Sequence, residues 1–376
     1  MSRWDGWDES QVRVRPNKRG SRPRTKETPE YPDAELGRVV TVDRGRYTVA
    51  LDGQDGSGPR AVSAVRAKAL GRKQGGRTPV VPGDVVGLVG DTSGAEGTLA
   101  RLVRVEERST LLRRSADDTD EAERVIVANA DQLLIVVAAA DPEPRTGFID
   151  RALVAAYEAD IEPILLITKA DLAEDSADPA GLISHYAELQ LTTVVSQRRT
   201  GEQALSEEAV RRLRELLAGH VTAMIGHSGV GKSTMVNALT GADRATGGVN
   251  AVTGRGRHTS SSAVALNLEP AEDLGTDRAR SSWIIDTPGI RSFGLAHVDP
   301  DDVLGAFEDL VEGSAGCEPG CAHASPEGGC ALDSWVAAGR AGEHGPARLE
   351  SLRGLLASLS GASEGPGEKR LGSVEP

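Results

Sequence analysis

The chain has 376 residues, 39% hydrophobic and 26% charged, enough apolar material for a sizeable core, which excludes a wholly disordered protein. Three cysteines exclude a disulfide scaffold, and an aromatic content of 3% leaves few rings for a base-stacking surface. No apolar run approaches the roughly 20 residues of a membrane span, and the N-terminal MSRWDGWDES lacks a signal peptide's apolar centre, so the expectation is a soluble, cytoplasmic protein without a membrane partner.

Charge is unevenly placed. Residues 1–114 hold 22 Lys/Arg against 15 Asp/Glu, a net of +7, which leaves −20 of the overall −13 for the remainder. One end could meet a polyanion that the rest repels, although a basic tail that binds nothing gives the same count.

In chain order, residues 1–34 mix Arg, Lys, Pro, Ser and Gly and read as a disordered basic tail. Residues 35–112 change to short β-rich runs (LGRVVTV, RYTVAL, RAVSAV, DVVGLV, TLARLVRV) separated by Gly-containing turns, which predicts a small barrel. Tyr47 is the only aromatic residue there, so nucleic acid contacts in this region would rest on Arg and Lys. From about Val125 the rhythm becomes α/β. Strands are predicted at Leu133–Ala139, Ile164–Thr168, Thr193–Ser196, Thr222–Ile225 and Trp283–Ile285, with helices at Ile149–Ala159, Glu202–Leu217 and Lys232–Leu239. That alternation predicts a parallel sheet covered on both faces. Beyond Phe293 come a Cys/His cluster and predicted helices at Leu332–Ala338 and Ala347–Leu359, and residues 361–376 read as a second disordered tail.

The sequence Gly226-His227-Ser228-Gly229-Val230-Gly231-Lys232-Ser233 fits G-x-x-x-x-G-K-[ST] between an apolar strand and a helix. Such glycines let backbone N–H groups curl around phosphate oxygens at a helix N-terminus. Lys232 would reach the β- and γ-phosphates, Ser233 would ligate Mg²⁺, and Thr234 continues the loop into the helix. Thr168-Lys169-Ala170-Asp171 follows the strand ILLI and resembles the [NT]-K-x-D element of GTPases. A fixed carboxylate accepts from both the N1–H and the 2-amino group of guanine, donors that adenine lacks on that edge. Ser196, after a further strand, could stand near the guanine O6. Downstream, Asp286-Thr287-Pro288-Gly289 is a D-x-x-G after a strand. Asp286 would hold Mg²⁺ through water, the Gly289 N–H would face the γ-phosphate, and Thr259 would close the Mg²⁺ shell. The base-reading elements precede the phosphate-reading ones, so the order is that of a circularly permuted GTPase domain. Ile290 stands where Ras-type GTPases carry the glutamine that orients the attacking water, and His258, beside Thr259, is the nearest substitute. On spacing alone, His258 as a surface or packing residue fits as well.

Cys317-x₃-Cys321-x-His323-x₆-Cys330 uses every cysteine of the chain, and a closed Cys₃His set suits one structural Zn²⁺ rather than a catalytic metal, the alternative being three buried thiols with an incidental histidine.

A barrel, a permuted GTPase and a Cys₃His module in that order resemble the RsgA/YjeQ family, the ribosome small-subunit-dependent GTPases. The likeness is carried by GHSGVGKSTMVNAL, GRGRHTSSS, DTPGIRSFGL and ANADQLLIVVAAADP. The resemblance implies an OB-fold barrel at 35–112, a permuted GTPase domain at 113–297 and a zinc-binding helical module at 298–360. It further implies a monomeric enzyme that hydrolyses GTP to GDP and phosphate, is stimulated by the small ribosomal subunit and its rRNA, acts late in that subunit's maturation, and uses His258 in place of the missing glutamine. The chain departs from the family at His227, where glutamine is usual, in its zinc spacing (x₃ and x₆ for x₄ and x₅), and in its basic tail. The rival reading is a nucleotide-gated RNA-binding module whose hydrolysis is incidental.

Overall fold

The computed structural model describes residues 31–52, 59–67, 70, 79–115, 123–197, 206–241, 263–268, 282–287, 298–325 and 329–359. The expected tails, up to residue 30 and at 361–376, lie outside these residues.

Strands β1 (Glu35–Asp43), β2 (Arg46–Leu51), β3 (Arg60–Arg66), β4 (Val85–Gly90) and β5 (Ala100–Val105) close into a barrel in the order β1-β2-β3-β5-β4, with β4 pairing back to β1. The five runs of alternating apolar residues are these strands. Their inward side chains, including Val39, Val49, Val62, Leu88 and Leu102, form a core of the barrel's own. Tyr47 is buried in it and so offers no ring to a nucleic acid base. Val40, the next residue along β1 and on the opposite face, joins a different core beneath the central sheet.

A hairpin that the sequence reading did not anticipate follows, β6 (Leu111–Ser115) antiparallel to β7 (Glu123–Ala128). The central layer comprises β8 (Gln132–Ala138), α1 (Thr146–Glu158), β9 (Glu162–Thr168), α2 (Leu182–His185), β10 (Thr192–Val195), α3 (Glu207–Leu217), β11 (Val221–Ile225), α4 (Lys232–Thr240), β12 (Val264–Asn267) and β13 (Trp283–Asp286). The sheet runs β10-β9-β8-β11-β13-β12. All neighbours are parallel except β12, an antiparallel edge strand on β13. Both faces are covered, which is why these strands read as unbroken aliphatic runs. On one face Leu133, Ile135, Val137, Leu165 and Ile167 pack with α1, and on the other Leu134, Val136, Ala138, Ile164 and Leu166 pack with α3 and α4. Helix α3 begins at Glu207, later than the predicted 202, because Ser206 caps it: its Oγ accepts from the Ala209 N–H at 3.4 Å.

The C-terminal helices are α5 (Pro300–Leu304), α6 (Glu308–Ser314), α7 (Ala331–Ala337) and α8 (Gly345–Leu359). Their apolar residues Leu304, Leu310, Leu332, Leu352 and Leu355, with Phe307 at the N-cap of α6, belong to the same cluster as Phe148 and Leu153 of α1. Arg348 fastens the arrangement. Its Nε donates to both Asp309 carboxylate oxygens at 2.8 and 2.9 Å, its Nη1 donates to the Glu188 carbonyl at 2.5 Å, and its guanidinium lies 5.1 Å from the Phe307 ring centre.

The barrel is mounted on the sheet through the turn Pro82-Gly83-Asp84. Gly83 has φ +93°, and a Cβ there would stand 2.0 Å from the Ala128 carbonyl oxygen and 3.1 Å from the Ile285 side chain. Only glycine permits this approach. The buried Asp84 carboxylate accepts from Arg108 Nε and Nη2 at 2.7 and 2.8 Å and from the Val81 N–H at 2.8 Å. Arg38 and the Asn129 amide both donate to the Gly83 carbonyl.

Candidate functional site

Because β10, β9, β8, β11 and β13 are parallel, their carboxyl ends share one edge of the sheet. Chain progression runs outward from β8 to β10 on one side and from β11 to β13 on the other, so the direction reverses between β8 and β11. In open α/β sheets that crevice is the binding place. The loop 226–231 stands there, directly after β11.

Loop and crevice fit closely. A Cβ on Gly226 would lie 2.4 Å from the Val136 carbonyl oxygen of β8. Gly231, with φ +96°, caps α4, whose buried side chains Met235, Val236 and Leu239 hold the helix on the sheet. The first N–H groups of a helix have no intrahelical acceptor, so α4 points donors and the positive end of its dipole at the loop. Lys232 Nζ donates to the carbonyls of Gly226 and His227 at 2.5 and 2.6 Å. Burial pushes its ammonium below the ordinary lysine value, and the nearby Asp286 carboxylate pulls the other way. The alternation of β13 explains that proximity: Ile284 faces the α3/α4 side, and Asp286, two residues on, faces it too. Thr287 ties this strand end back to β11, its Oγ1 donating to the Met224 carbonyl at 2.6 Å. Ser233 and Thr234 are exposed on the first turn of α4. The His227 ring packs against Phe148 of α1, with centroids 4.4 Å apart.

The second predicted element meets the first. Thr168, at the end of β9, is buried, and its Oγ1 lies 2.6 Å from the Val230 carbonyl of the loop and 3.1 Å from the Val137 carbonyl. Lys169 takes the left-handed conformation (φ 55°), and its ammonium donates to the Asp141 carbonyl. Ala170 and Asp171 open a 3-10 turn at 170–172 on which Asp171 is exposed. The Ser196 carbonyl accepts from the Ala170 N–H at 3.1 Å, which fixes the end of β10 beside that turn, and the Ser196 hydroxyl is buried without a hydrogen-bond partner among the described residues. Of the predicted nucleotide residues, His258, Thr259 and Gly289 lie outside the described residues, as does Ile290. Two contacts escaped the sequence reading: Thr168 on Val230, and Lys169 on Asp141. The strand-end position of Thr168 was the only signal for the first, and nothing local signalled the second.

In the C-terminal module, the donor atoms of Cys317, Cys321, His323 and Cys330 lie within 4.8 Å of one another. His323 Nδ1 is 3.7 Å from both the Cys317 and the Cys330 sulfur. Donor atoms around one tetrahedral zinc stand about 3.6–3.8 Å apart, so the set fits a single ion. Burial, with the Cys317 and Cys321 thiols adding to it, pushes the Cys330 thiol up to about 11. A cation among the sulfurs reverses that preference and favours the thiolates. The Ala331 N–H donates to Cys317 Sγ at 3.2 Å.

The RsgA GTPase family profile matches residues 105–296. The chain is 36% identical over 271 residues to the small ribosomal subunit biogenesis GTPase RsgA of Pseudomonas aeruginosa, covering 71% of this chain and 73% of that one. It is 37% identical over 239 residues to the protein of the same name from Pseudomonas putida, covering 62% and 64%. Among solved structures, YjeQ from Thermotoga maritima superposes with a TM-score of 0.58 at 24% identity, covering 87% of this chain and 99% of that one. YloQ, described as a circularly permuted GTPase, gives 0.58 at 19% identity, covering 89% and 98%. Both share the fold.

Proposed function

The chain belongs to the RsgA GTPase family, and on that premise we propose that it is a GTP hydrolase that docks on the small ribosomal subunit, is stimulated by it, and serves as a late maturation factor or checkpoint. What carries the reading is the single sheet edge that gathers Thr168, Ser196, the 226–231 loop and Asp286, although the chain visits them in permuted order. In this reading Asp171 accepts from the guanine edge, Lys169 packs along the base plane, and Ser196 stands near O6. The loop from Gly226 to Thr234 wraps the phosphates, with Lys232 on the β- and γ-oxygens and the Gly289 N–H facing the γ-phosphate. Ser233, Thr259 and Asp286 would hold Mg²⁺, which neutralises charge between the β- and γ-phosphates when bound. His258 orients the attacking water, a role that Ile290 cannot fill.

The four-residue cluster takes one structural Zn²⁺. The protein works in the cytoplasm as a monomer, with the basic tail of residues 1–34, the barrel (35–112), the permuted GTPase domain (113–297), the zinc module (298–360) and the tail 361–376 as its parts. No helix among the described residues is long and apolar enough to cross a membrane. With Tyr47 buried, the exposed Arg44, Arg46 and Arg101 carry the barrel's contact to rRNA phosphates, so binding is steeply salt-dependent and selects shape over sequence.

The test is single-turnover GTP hydrolysis with buffer, naked rRNA or isolated small subunits. Strong stimulation by subunits and much less by rRNA is expected, and equal rates in all three would defeat the reading. Replacing Arg44, Arg46 and Arg101 by Gln should lower the stimulation and leave the intrinsic rate unchanged. Deleting the barrel is a poorer test, since Val40 and Ala50 belong to the core under the sheet.

A further inference from the structure

His323 presents its two ring nitrogens to different partners. Nδ1 faces the Cys317 and Cys330 sulfurs at 3.7 Å, while Nε2 lies 2.9 Å from Oδ1 of Asp301. The imidazole is 2% exposed and the Asp301 side chain 74% exposed, so a buried ring reaches out to a carboxylate on the first turn of α5. The His323 backbone is held at φ 55°, a left-handed conformation that a non-glycine residue keeps only where its surroundings dictate it. Its carbonyl is held as well, accepting from Arg353 Nε at 3.3 Å.

We propose that Asp301 is a positioning residue of the metal centre: by accepting the Nε2–H of His323 it fixes the tautomer and the ring angle that offer Nδ1 to zinc. The inference rests on the zinc reading above. A histidine that donates its distal N–H to a carboxylate is a better ligand through the nitrogen left over, and loss of such a partner commonly weakens metal binding about 10–100-fold. Asp301 lies far outside the Cys–His motif, and its helix is the first element after residues 288–297. The contact therefore anchors α5, which begins 14 residues after the end of β13, to the metal centre.

The test uses the full chain, with zinc affinity measured by competition against a chelating dye. Asp301→Ala should weaken zinc binding at least about 10-fold. Asp301→Asn, which keeps an acceptor but loses the charge, should fall in between. Asp302→Asn, an exposed neighbour on the same turn, should match the wild type. Because Asp301 is exposed, far-UV circular dichroism of the three variants should superpose. In ¹⁵N-histidine NMR spectra of the zinc-loaded wild type, His323 should show a protonated Nε2 and a metal-bound Nδ1. A metal-bound Nε2, or equal zinc affinity in Asp301→Ala and Asp302→Asn, overturns the proposal while leaving the zinc reading intact. A wild-type protein that takes up no zinc overturns both.

Discussion

In the proposed reading, the two halves of the central sheet divide the labour of a nucleotide site between two stretches of chain. Strands β8 to β10 carry the groups suited to reading a base, and strands β11 to β13 carry those suited to phosphates and magnesium. They differ in how the chemistry is held. The base-reading half fixes its residues at strand ends by backbone bonds, as in Ala170 N–H to the Ser196 carbonyl. The phosphate-reading half uses a loop whose glycines take conformations closed to other residues. The halves touch where Thr168 bonds the Val230 carbonyl, where Gly226 lies against the Val136 carbonyl, where the His227 ring packs on Phe148, and along the pairing of β8 with β11. On the proposed assignment of roles, recognition and reaction should separate by mutation, and four substitutions measure how cleanly.

The largest effect is expected on the phosphate side. Lys232→Ala should weaken GTP and GDP alike by about 10²–10³-fold, roughly 2.7–4 kcal/mol, read by equilibrium titration, with no change in preference among bases. Next comes Asp171→Asn on the base side. It should weaken GTP about 10²-fold and improve xanthosine triphosphate, since hydrogen-bond polarity at that edge reverses, while turnover at saturation holds. A wild type that binds ATP as well as GTP would erase the distinction between the halves. His258→Ala should leave binding nearly intact and cut turnover about 10²-fold, roughly 2.7 kcal/mol of transition-state stabilisation. Unchanged subunit-stimulated turnover in that variant would return His258 to a packing residue. The smallest effect belongs to the joint. Thr168→Val removes a buried donor from two carbonyls and should lower unfolding stability by about 1–3 kcal/mol. Its loss of affinity should be shared by every nucleotide. If it altered base preference instead, the halves would not be independent.

Much of this was legible in the sequence, for reasons the structure makes plain. The loop 226–233 follows an aliphatic strand, Thr168–Asp171 and Asp286 stand at the ends of others, and strands buried on both faces declare themselves as runs such as QLLIVVA and VTAMI. The barrel strands declared themselves by alternation. The hairpin β6–β7 was hidden because LLRRS mixes arginine into a short strand, and β12 because four residues carry too little pattern to stand out. Helices α5 and α6, of five and seven residues with acidic first turns, show no helical period for the same reason. Asp301 could not be found at all: it meets His323 across 22 residues, and only tertiary packing brings them together.

The shared core of α1 and the C-terminal helices also sets the order of events at birth. The face of α1 that Leu352 and Leu355 help to cover is made roughly 190 residues before α8, a wait of about 10–40 s at ordinary rates of synthesis. Until then α1 covers its side of β8 and β9 but its own outer apolar face is bare, and that surface is open to chaperones. The full stability of this scaffold should therefore arise late, close to release of the finished chain. A product truncated before residue 345 should leave that face of α1 exposed, which binding of a hydrophobic dye would report.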